Sequence, residues 1–160
     1  MHEQRFTLID RAYSAWHRRF SIARFVGIEK AQLLSMIDLD AALYVEYDDR
    51  SREPLALIET ARDIGQQWKG TSVSLRLARR ARLPCYVVLY AAANDPNPAD
   101  PRYRDIRALR VRRVWPKPEA QWRTLTPNAW ANALLQIRAW SARRIDIEAA
   151  NDPQYGERDQ

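Results

Sequence analysis

Apolar and polar residues alternate most clearly over residues 40–48, DAALYVEYD. In an extended chain this two-residue period places the apolar positions on one face and Asp40 on the other. A polar turn follows, and Pro54 then opens a second extended segment, LALIETAR. Proline has no N–H to donate to a neighbouring strand, and the first residue of a strand tolerates this best. The pattern predicts a β-hairpin.

The rest of the chain is predicted to alternate between helices and strands. Apolar residues spaced by three and four predict a helix over residues 3–20, whereas residues 21–39 fit either a short strand or a helical turn. After Gly70, a hydroxyl N-cap predicts a helix that runs to about Arg82, with its apolar side formed by Val73, Leu77 and Ala81.

The second half of the chain carries two further strands and a helix. The continuous apolar run at residues 85–93 is typical of a central strand covered on both faces. Residues 94–101 are proline-rich and predicted as a loop, and residues 106–115 as a more exposed strand. Thr126 and Pro127 signal a helix over residues 126–140.

These elements together predict an α/β protein. Its core is a mixed β-sheet of about four to five strands, flanked by helices and followed by a C-terminal helix. At 160 residues and 18.7 kDa the chain fits one domain, which we place at residues 1–148, with a disordered tail at residues 149–160.

Composition narrows the function classes. Charged residues interrupt every apolar run, so no segment reaches membrane-spanning length, and the N-terminus lacks the apolar block of a signal peptide. The one cysteine, Cys85, precludes an internal disulfide and is expected in the core. These features favour a cytoplasmic protein. With four glycines, none in a phosphate-binding pattern, nucleotide-cradle motifs are excluded.

The net charge of +6 suits a polyanion as partner. Arginine accounts for 23 of the 26 basic residues, a bias that a GC-rich genome also produces. Arginines cluster at residues 76–82 and 102–113, and these clusters predict either a phosphate-contacting surface or solvated faces. The candidate nucleic-acid contacts are Arg76, Arg79, Arg80, Arg110, Arg112 and Arg113.

Two acids of the hairpin form the candidate site. A turn centred between Arg50 and Ser51 would place Asp40 opposite Ala61 and Glu59 opposite Ala42, so that the two acids are diagonal neighbours on one face. Two such carboxylates can bind one divalent cation. The alternative is that both acids are solvated at strand ends.

The segment MIDLDAALYVEYDDRSREPLALIETAR resembles the central hairpin of the restriction-endonuclease-like, or PD-(D/E)XK, superfamily, in particular small prophage-borne members. The matching pieces are residues 38–40, 46–48 and 53–59. The following LARRARLPCYVVLY is similar to the next helix and strand of that family. The resemblance covers roughly residues 36–91.

The resemblance implies an αβββαβ core and a nuclease that uses Mg²⁺ or Mn²⁺. Asp40 would be the metal-binding acid of the first motif, with Asp38 as its rival. Glu59 would be the second ligand, and the carbonyl of Thr60 would add an oxygen. The implied partner is nucleic acid, DNA in particular, while the oligomeric state, a dimer included, stays open.

Ala61 departs from the family pattern, because the family's lysine belongs at this position, on the same strand face as the glutamate. Lys69 could reach back from the start of the next helix, and Arg62 is the other basic candidate, although it should point to the opposite face. Two hypotheses follow. One is a metal-dependent nuclease of phage or mobile-element origin, and the other is an inactive nuclease-fold protein that binds nucleic acid or an acidic protein.

Overall fold

The structure is a computed structural model that describes residues 16, 23–34 and 39–151, the last five by their backbone alone. The chain divides into two compact units, residues 1–38 and 39–160, and each is described by itself. In the first unit, α1 (Ala23–Val26) and α2 (Ile28–Gln32) are two short helices, so the ambiguous segment contains helix over these residues. The helix predicted over residues 3–20 lies outside the described residues except for Trp16.

The second unit is a five-stranded mixed sheet with a helix on each face, which confirms the predicted α/β class. The strands follow chain order across the sheet, β2 and β3 are parallel, and the other neighbouring pairs are antiparallel. Its elements are β1 (Ala41–Glu46), β2 (Arg52–Arg62), α3 (Ser72–Ala81), β3 (Cys85–Asn97), β4 (Asp100–Trp115), β5 (Arg123–Leu125) and α4 (Pro127–Asn151).

Helix α3 is the crossover that parallel strands require, and it joins β2 to β3. Within residues 16, 23–34 and 39–151, two strands precede this helix, where the resemblance implies three. Two strands, β4 and β5, extend the sheet on its other side.

At its Asp40 end, the hairpin register differs from the predicted one by two residues. Ala42 pairs with Leu57 rather than with Glu59, and Ala41 pairs with Ile58, so continuing this register places Asp40 opposite Glu59. The predicted pairing was wrong because the turn lies at Tyr47–Ser51 and a bulge shifts the register between Leu43 and Tyr44. Because the shift at this end is an even number of residues, Asp40 and Glu59 stay on one face of the sheet, as predicted.

The two faces of the sheet pack against different helices. The α3 face holds a small cluster of Leu57, Ala78, Leu83 and Cys85. The α4 face holds the larger core, formed by Ala56, Ile58, Tyr86, Val88, Leu109, Val111 and Ile137. Residues 85–89 of β3 are buried on both sides, as predicted for a central strand, and Cys85 lies in the core as expected.

The predicted apolar side of α3 does not face the sheet. Val73 and Leu77 are 46% and 39% exposed, whereas Ser74 and Ala78 are buried. Small residues at this i, i+4 spacing allow the helix to approach the strands closely. A hydroxyl residue, Thr71, stands at the N-cap as predicted, but its side chain makes no capping hydrogen bond.

Residues 94–101, predicted as a loop, belong instead to a long β3–β4 hairpin. Pro96 pairs with Arg104 and Asn97 with Asp100, and the Ala99 N–H donates to Asn97 Oδ1 at 2.9 Å at the tip. The residues of this ribbon are mostly exposed, so they carry no apolar alternation from which a strand could be predicted.

Helix α4 begins as predicted, since Thr126 Oγ1 accepts a hydrogen bond from the Ala129 N–H at 3.1 Å. It continues to Asn151, eleven residues past its predicted end, and takes in the first three residues of the predicted tail. Residues 152–160 lie outside the described part of the chain. Across the described residues no helix combines the length and apolar character needed to cross a bilayer.

Candidate functional site

The ammonium of Lys69 joins three oxygens at the junction of β1, β2 and the segment before α3. Lys69 Nζ donates to Asp40 Oδ2 at 2.6 Å, to the Thr60 carbonyl at 2.7 Å and to Glu59 Oε2 at 3.0 Å. A lysine ammonium has three protons, so all its donor capacity is used. The Ser74 hydroxyl also bonds to Glu59. We use the name Lys69 cluster for the five residues Asp40, Glu59, Thr60, Lys69 and Ser74.

Asp40 enters the cluster because it directly precedes β1 at the level of Glu59. Its Oδ2 also accepts the Thr60 N–H at 2.7 Å, a bond that ties β1 to β2 one residue beyond the paired strands. Burial raises the pKa of Asp40, but the hydrogen bonds from Lys69 and the Thr60 N–H outweigh burial, and the net pKa is lowered. Asp40 is therefore a carboxylate at neutral pH.

Glu59 is the buried acid of the cluster, with 5% of its surface exposed. Lys69 binds its Oε2, and the Ser74 hydroxyl of α3 donates a short hydrogen bond to its Oε1. A buried carboxylate is costly unless it is paired and hydrogen-bonded. Both of its oxygens have partners here, so the side chain is fixed in one orientation.

Lys69 keeps its positive charge in this setting. Partial burial lowers the pKa of Lys69, but hydrogen bonds and charge attraction from Asp40 and Glu59 more than compensate, so its pKa is raised. The cluster thus holds one cation between two anions on the α3 face.

Residues 63–69 fold back toward β2, and β4 holds them in place. Arg110 makes a bidentate ion pair with Asp63 at 2.7 and 2.8 Å and donates to the Gln66 carbonyl at 2.9 Å. Gly65 takes a positive φ of 83° that favours glycine. This bend brings Lys69 over the carboxylates.

Trp122, from the loop between β4 and β5, fixes the same segment. Its indole N–H donates to the Gln67 carbonyl at 2.9 Å, and the guanidinium carbons of Arg110 and Arg112 lie 5.3 and 6.0 Å from its ring centre. The pKa of Asp63 is lowered to about 2, first by the hydrogen bond from Arg110 and then by the Gly65 N–H.

The structure divides the six candidate nucleic-acid contacts among different surfaces. Arg76, Arg79 and Arg80 are exposed on α3. Arg110 and Arg112 lie on the α3 face, where Arg110 is engaged by Asp63. Arg113 follows Arg112 on the strand, so its side chain points to the opposite, α4 face, and it pairs with Tyr86 of β3.

Arg112 lies closest to the Lys69 cluster in the register of the sheet. Glu59 pairs with Val87, and Val87 with Arg112, so both side chains lie on the α3 face at one level. Arg112 Nε is buried and has no hydrogen-bond partner among the described residues.

Two basic residues were candidates for the place of the lysine that the resemblance implies, and the structure brings only Lys69 to the acids. Ala61 lies on the face of Glu59 and pairs with Leu89. Arg62 pairs with Tyr90, which packs on the α4-face core, so Arg62 points away from the acids as expected. The Gln66 side chain accepts a hydrogen bond from the Ile64 N–H and donates one to the Arg62 carbonyl.

The oxygen atoms of the Lys69 cluster suit a hard cation as ligands, since Asp40, Glu59 and the Thr60 carbonyl direct three oxygens at one point. Lys69 Nζ lies at that point. Within the described ranges, no group of three or more His, Cys, Asp or Glu residues could hold a metal ion. A cation would therefore depend on two carboxylates and a carbonyl, and Lys69 would have to release them.

The sequence analysis did not identify the residues that support the cluster. These are Ser74, the ion pair of Asp63 with Arg110, and Trp122. The available sequence signal for Ser74 was the pair of small residues, Ser74 and Ala78, four positions apart on the predicted helix. Cys85 lies in the core on the Glu59 face, and burial raises its pKa to about 11, so its thiol is protonated at neutral pH.

The fold and the cluster define a class: an α/β protein with a five-stranded mixed sheet and a lysine-bridged pair of carboxylates on one face. Comparison with known protein families, with curated proteins and with solved structures finds no match for this chain. Function is therefore argued from the site itself.

Proposed function

We propose that this chain is a metal-dependent nuclease of the PD-(D/E)XK type that hydrolyses phosphodiester bonds in DNA and derives from a phage or mobile element. Asp40, Glu59 and Lys69 form its reaction centre. One observation carries the proposal: Lys69 Nζ lies within 3.0 Å of oxygens of Asp40, Glu59 and Thr60, on the sheet face that also holds Ala61.

Asp40, Glu59 and the Thr60 carbonyl would hold Mg²⁺ or Mn²⁺, which when bound supplies Lewis-acid stabilisation of a phosphoryl oxygen and lowers the pKa of an attacking water. The chain's own groups do the rest. The Ser74 hydroxyl fixes Glu59, and the Thr60 N–H fixes Asp40. Lys69, once released from the oxygens, remains beside them as the cation that offsets charge developing on the phosphate.

Arg112 would hold the DNA backbone beside this centre. It lies on the face of Glu59, two strands away, with its guanidinium near the Trp122 ring. Guanidinium groups bind phosphate with fixed geometry. The exposed arginines of α3 extend the basic surface from the same face.

A second function is favoured by the position of Lys69 itself. Its ammonium already neutralises the two carboxylates and stands at the point where their oxygens converge. A chain that keeps Lys69 there is a catalytically inactive protein that binds nucleic acid, or an acidic protein partner, through its arginines.

A cleavage assay separates the two functions. Wild type, Glu59→Gln, Lys69→Met and Ala61→Lys are incubated with double- and single-stranded DNA in Mg²⁺ or Mn²⁺. For a nuclease with the lysine at position 69, we expect Glu59→Gln and Lys69→Met to lower the rate by about a hundredfold or more. Asp95→Asn and Lys30→Met, which change exposed residues by the same charge, should cleave like wild type.

The outcomes are distinct. If only Ala61→Lys cleaves, the reaction centre persists but lacks its water-orienting lysine. If no variant cleaves and all bind DNA, the inactive binding protein stands. Cleavage that is equal in wild type and Glu59→Gln would remove the Lys69 cluster from the reaction.

A further inference from the structure

A cavity of about 360 Å³ lies on the α4 face, on the other side of the sheet from the Lys69 cluster. Tyr86 and Arg113 line it from the sheet, α4 covers it, and the loop between β4 and β5 forms its rim. Because Tyr86 alternates with Val87 along β3, the cavity and the cluster lie on opposite faces. Its volume falls within the range of about 300–1,000 Å³ that small-molecule pockets occupy.

The apolar wall of the cavity is aromatic. Trp130 of α4 meets Tyr86 edge-on, with ring centres 6.3 Å apart and planes at 62°. Trp140, two to three helical turns further along α4, also lines the cavity and is 38% exposed. Aromatic side chains on two walls suit a planar ring that stacks against them.

The polar wall of the cavity is positive. Arg113, Lys117 and Arg123 line it against a single acid, Glu119, which leaves an excess of two positive charges. Both Glu119 oxygens are occupied, since Oε2 accepts the Arg113 N–H at 2.7 Å and Oε1 lies 3.3 Å from Arg123 Nε. Arg113 Nε donates to the Lys117 carbonyl at 3.1 Å. Among the described residues, Lys117 has no ion-pair partner.

We propose that this cavity binds a planar aromatic ring that carries a phosphate, which is the chemistry of a nucleotide. The ring packs against the aromatic wall that Trp130 and Trp140 present, and the phosphate lies against Arg113, Lys117 and Arg123. The ligand is either a free mononucleotide or the phosphorylated end of a strand, which share this chemistry. The site does not depend on the proposed nuclease activity, because none of its residues belongs to the Lys69 cluster.

Calorimetric titration of the whole chain tests the site. The probes are deoxyadenosine monophosphate, deoxyadenosine, inorganic phosphate, and a single-stranded ten-nucleotide DNA with a 5′-phosphate or a 5′-hydroxyl. Deoxyadenosine monophosphate should bind at least tenfold more tightly than deoxyadenosine or phosphate alone, because each of these engages only one wall. Tighter binding of the 5′-phosphorylated strand than of both the mononucleotide and the 5′-hydroxyl strand would identify a strand end as the ligand.

Variants locate the binding. Lys117→Asn keeps a residue that tolerates the positive φ of 53° at this position, and Arg123→Gln removes the second charge. Each should weaken nucleotide binding about tenfold, while Arg138→Gln, an exposed arginine of α4 outside the cavity, should leave it unchanged. No binding at millimolar nucleotide, or equal binding by Lys117→Asn, Arg123→Gln and wild type, would overturn the proposal.

Discussion

Ile58 and Glu59 are neighbours on β2, and both are almost completely buried, with 9% and 5% of their surface exposed. Ile58 packs into the apolar core under α4, whereas Glu59 turns to the α3 face and is held by Lys69 and Ser74. The α4 face is stabilised mainly by removal of apolar surface from water. The α3 face is stabilised around Glu59 by specific pairing of charges.

The comparison teaches that the two faces place different demands on the sequence. An apolar core needs side chains of suitable volume and tolerates volume-conserving exchanges. A buried carboxylate needs partners of defined charge and position, which here come from residues ten and fifteen positions away. A face with such costly contacts is the natural place to seek function.

The largest expected effect comes from the apolar face. Ile58→Ala should lower the free energy of unfolding by about 3 kcal/mol, because it removes buried methyl groups and leaves a cavity. Urea denaturation measures the change. Ile64→Ala is the matched control, since Ile64 is 79% exposed, and it should cost less than about 0.5 kcal/mol. Equal effects of the two changes would mean that β2 is not buried under α4.

Lys69→Met should lower the free energy of unfolding by about 2 kcal/mol. Removing one partner of a buried ion pair costs about 3–5 kcal/mol. We expect less here, because the side chains of Lys69 and Asp40 are 24% and 32% exposed.

Lys69→Met should lower the free energy of unfolding by less when Glu59 has been replaced by a neutral residue. In a double-mutant cycle by urea denaturation, Lys69→Met in a Glu59→Gln background should cost about half as much as in wild type. Lys30→Met, at an exposed lysine, is the charge control. Strict additivity would mean that Lys69 and Glu59 do not interact.

Ser74→Ala should cost about 1 kcal/mol, since it removes the hydroxyl that donates to Glu59 but favours the helix slightly. Thermal melting in wild-type and Glu59→Gln backgrounds measures it, with Ser72→Ala as the control at the exposed start of α3. A Ser74→Ala protein as stable as wild type would contradict the role given to this hydroxyl.

The smallest effect concerns pH. The pKa of Asp63 is about 2, below its ordinary 3.8, because Arg110 and the Gly65 N–H bind its carboxylate. Since the folded-state pKa is lowered, this contact stabilises the fold above about pH 4 and is lost as the pH falls toward 2. Carbon-detected NMR titration should show the Asp63 pKa rising toward 3.8 in Arg110→Gln. An unshifted pKa in that variant would exclude Arg110 as the main cause.

Local patterns were sufficient to predict most of the fold. The hairpin, the central strand at residues 85–93 and the cap of α4 at Thr126 each depend on neighbouring residues, and the structure confirms them. The register near Asp40 was wrong by two residues because a bulge and a turn position are set by the paired strand as well as by the local sequence. The long β3–β4 ribbon was missed because exposed strands need no apolar alternation.

The site was less predictable because its contacts connect distant residues. Asp40, Glu59 and Lys69 were chosen as candidates, but the route that brings Lys69 to the acids depends on Arg110 and Trp122, about forty to fifty residues later. Ser74 was not chosen as a candidate, because a hydroxyl near a helix start is usually a capping group. Its contact with Glu59 follows only from the packing of α3 on the sheet.

The most direct measurement of the proposed reaction centre is anomalous diffraction from a crystal soaked in millimolar Mn²⁺. We expect a manganese peak within coordinating distance of Asp40, Glu59 and the Thr60 carbonyl, with Lys69 Nζ displaced from the position where it now lies 2.6 Å from Asp40. A Glu59→Gln crystal soaked in the same way should show no peak. If wild type shows no peak and Lys69 retains its three hydrogen bonds, the proposal of a metal-dependent nuclease is contradicted. The Lys69 cluster would then be a set of ionic contacts that stabilises the fold.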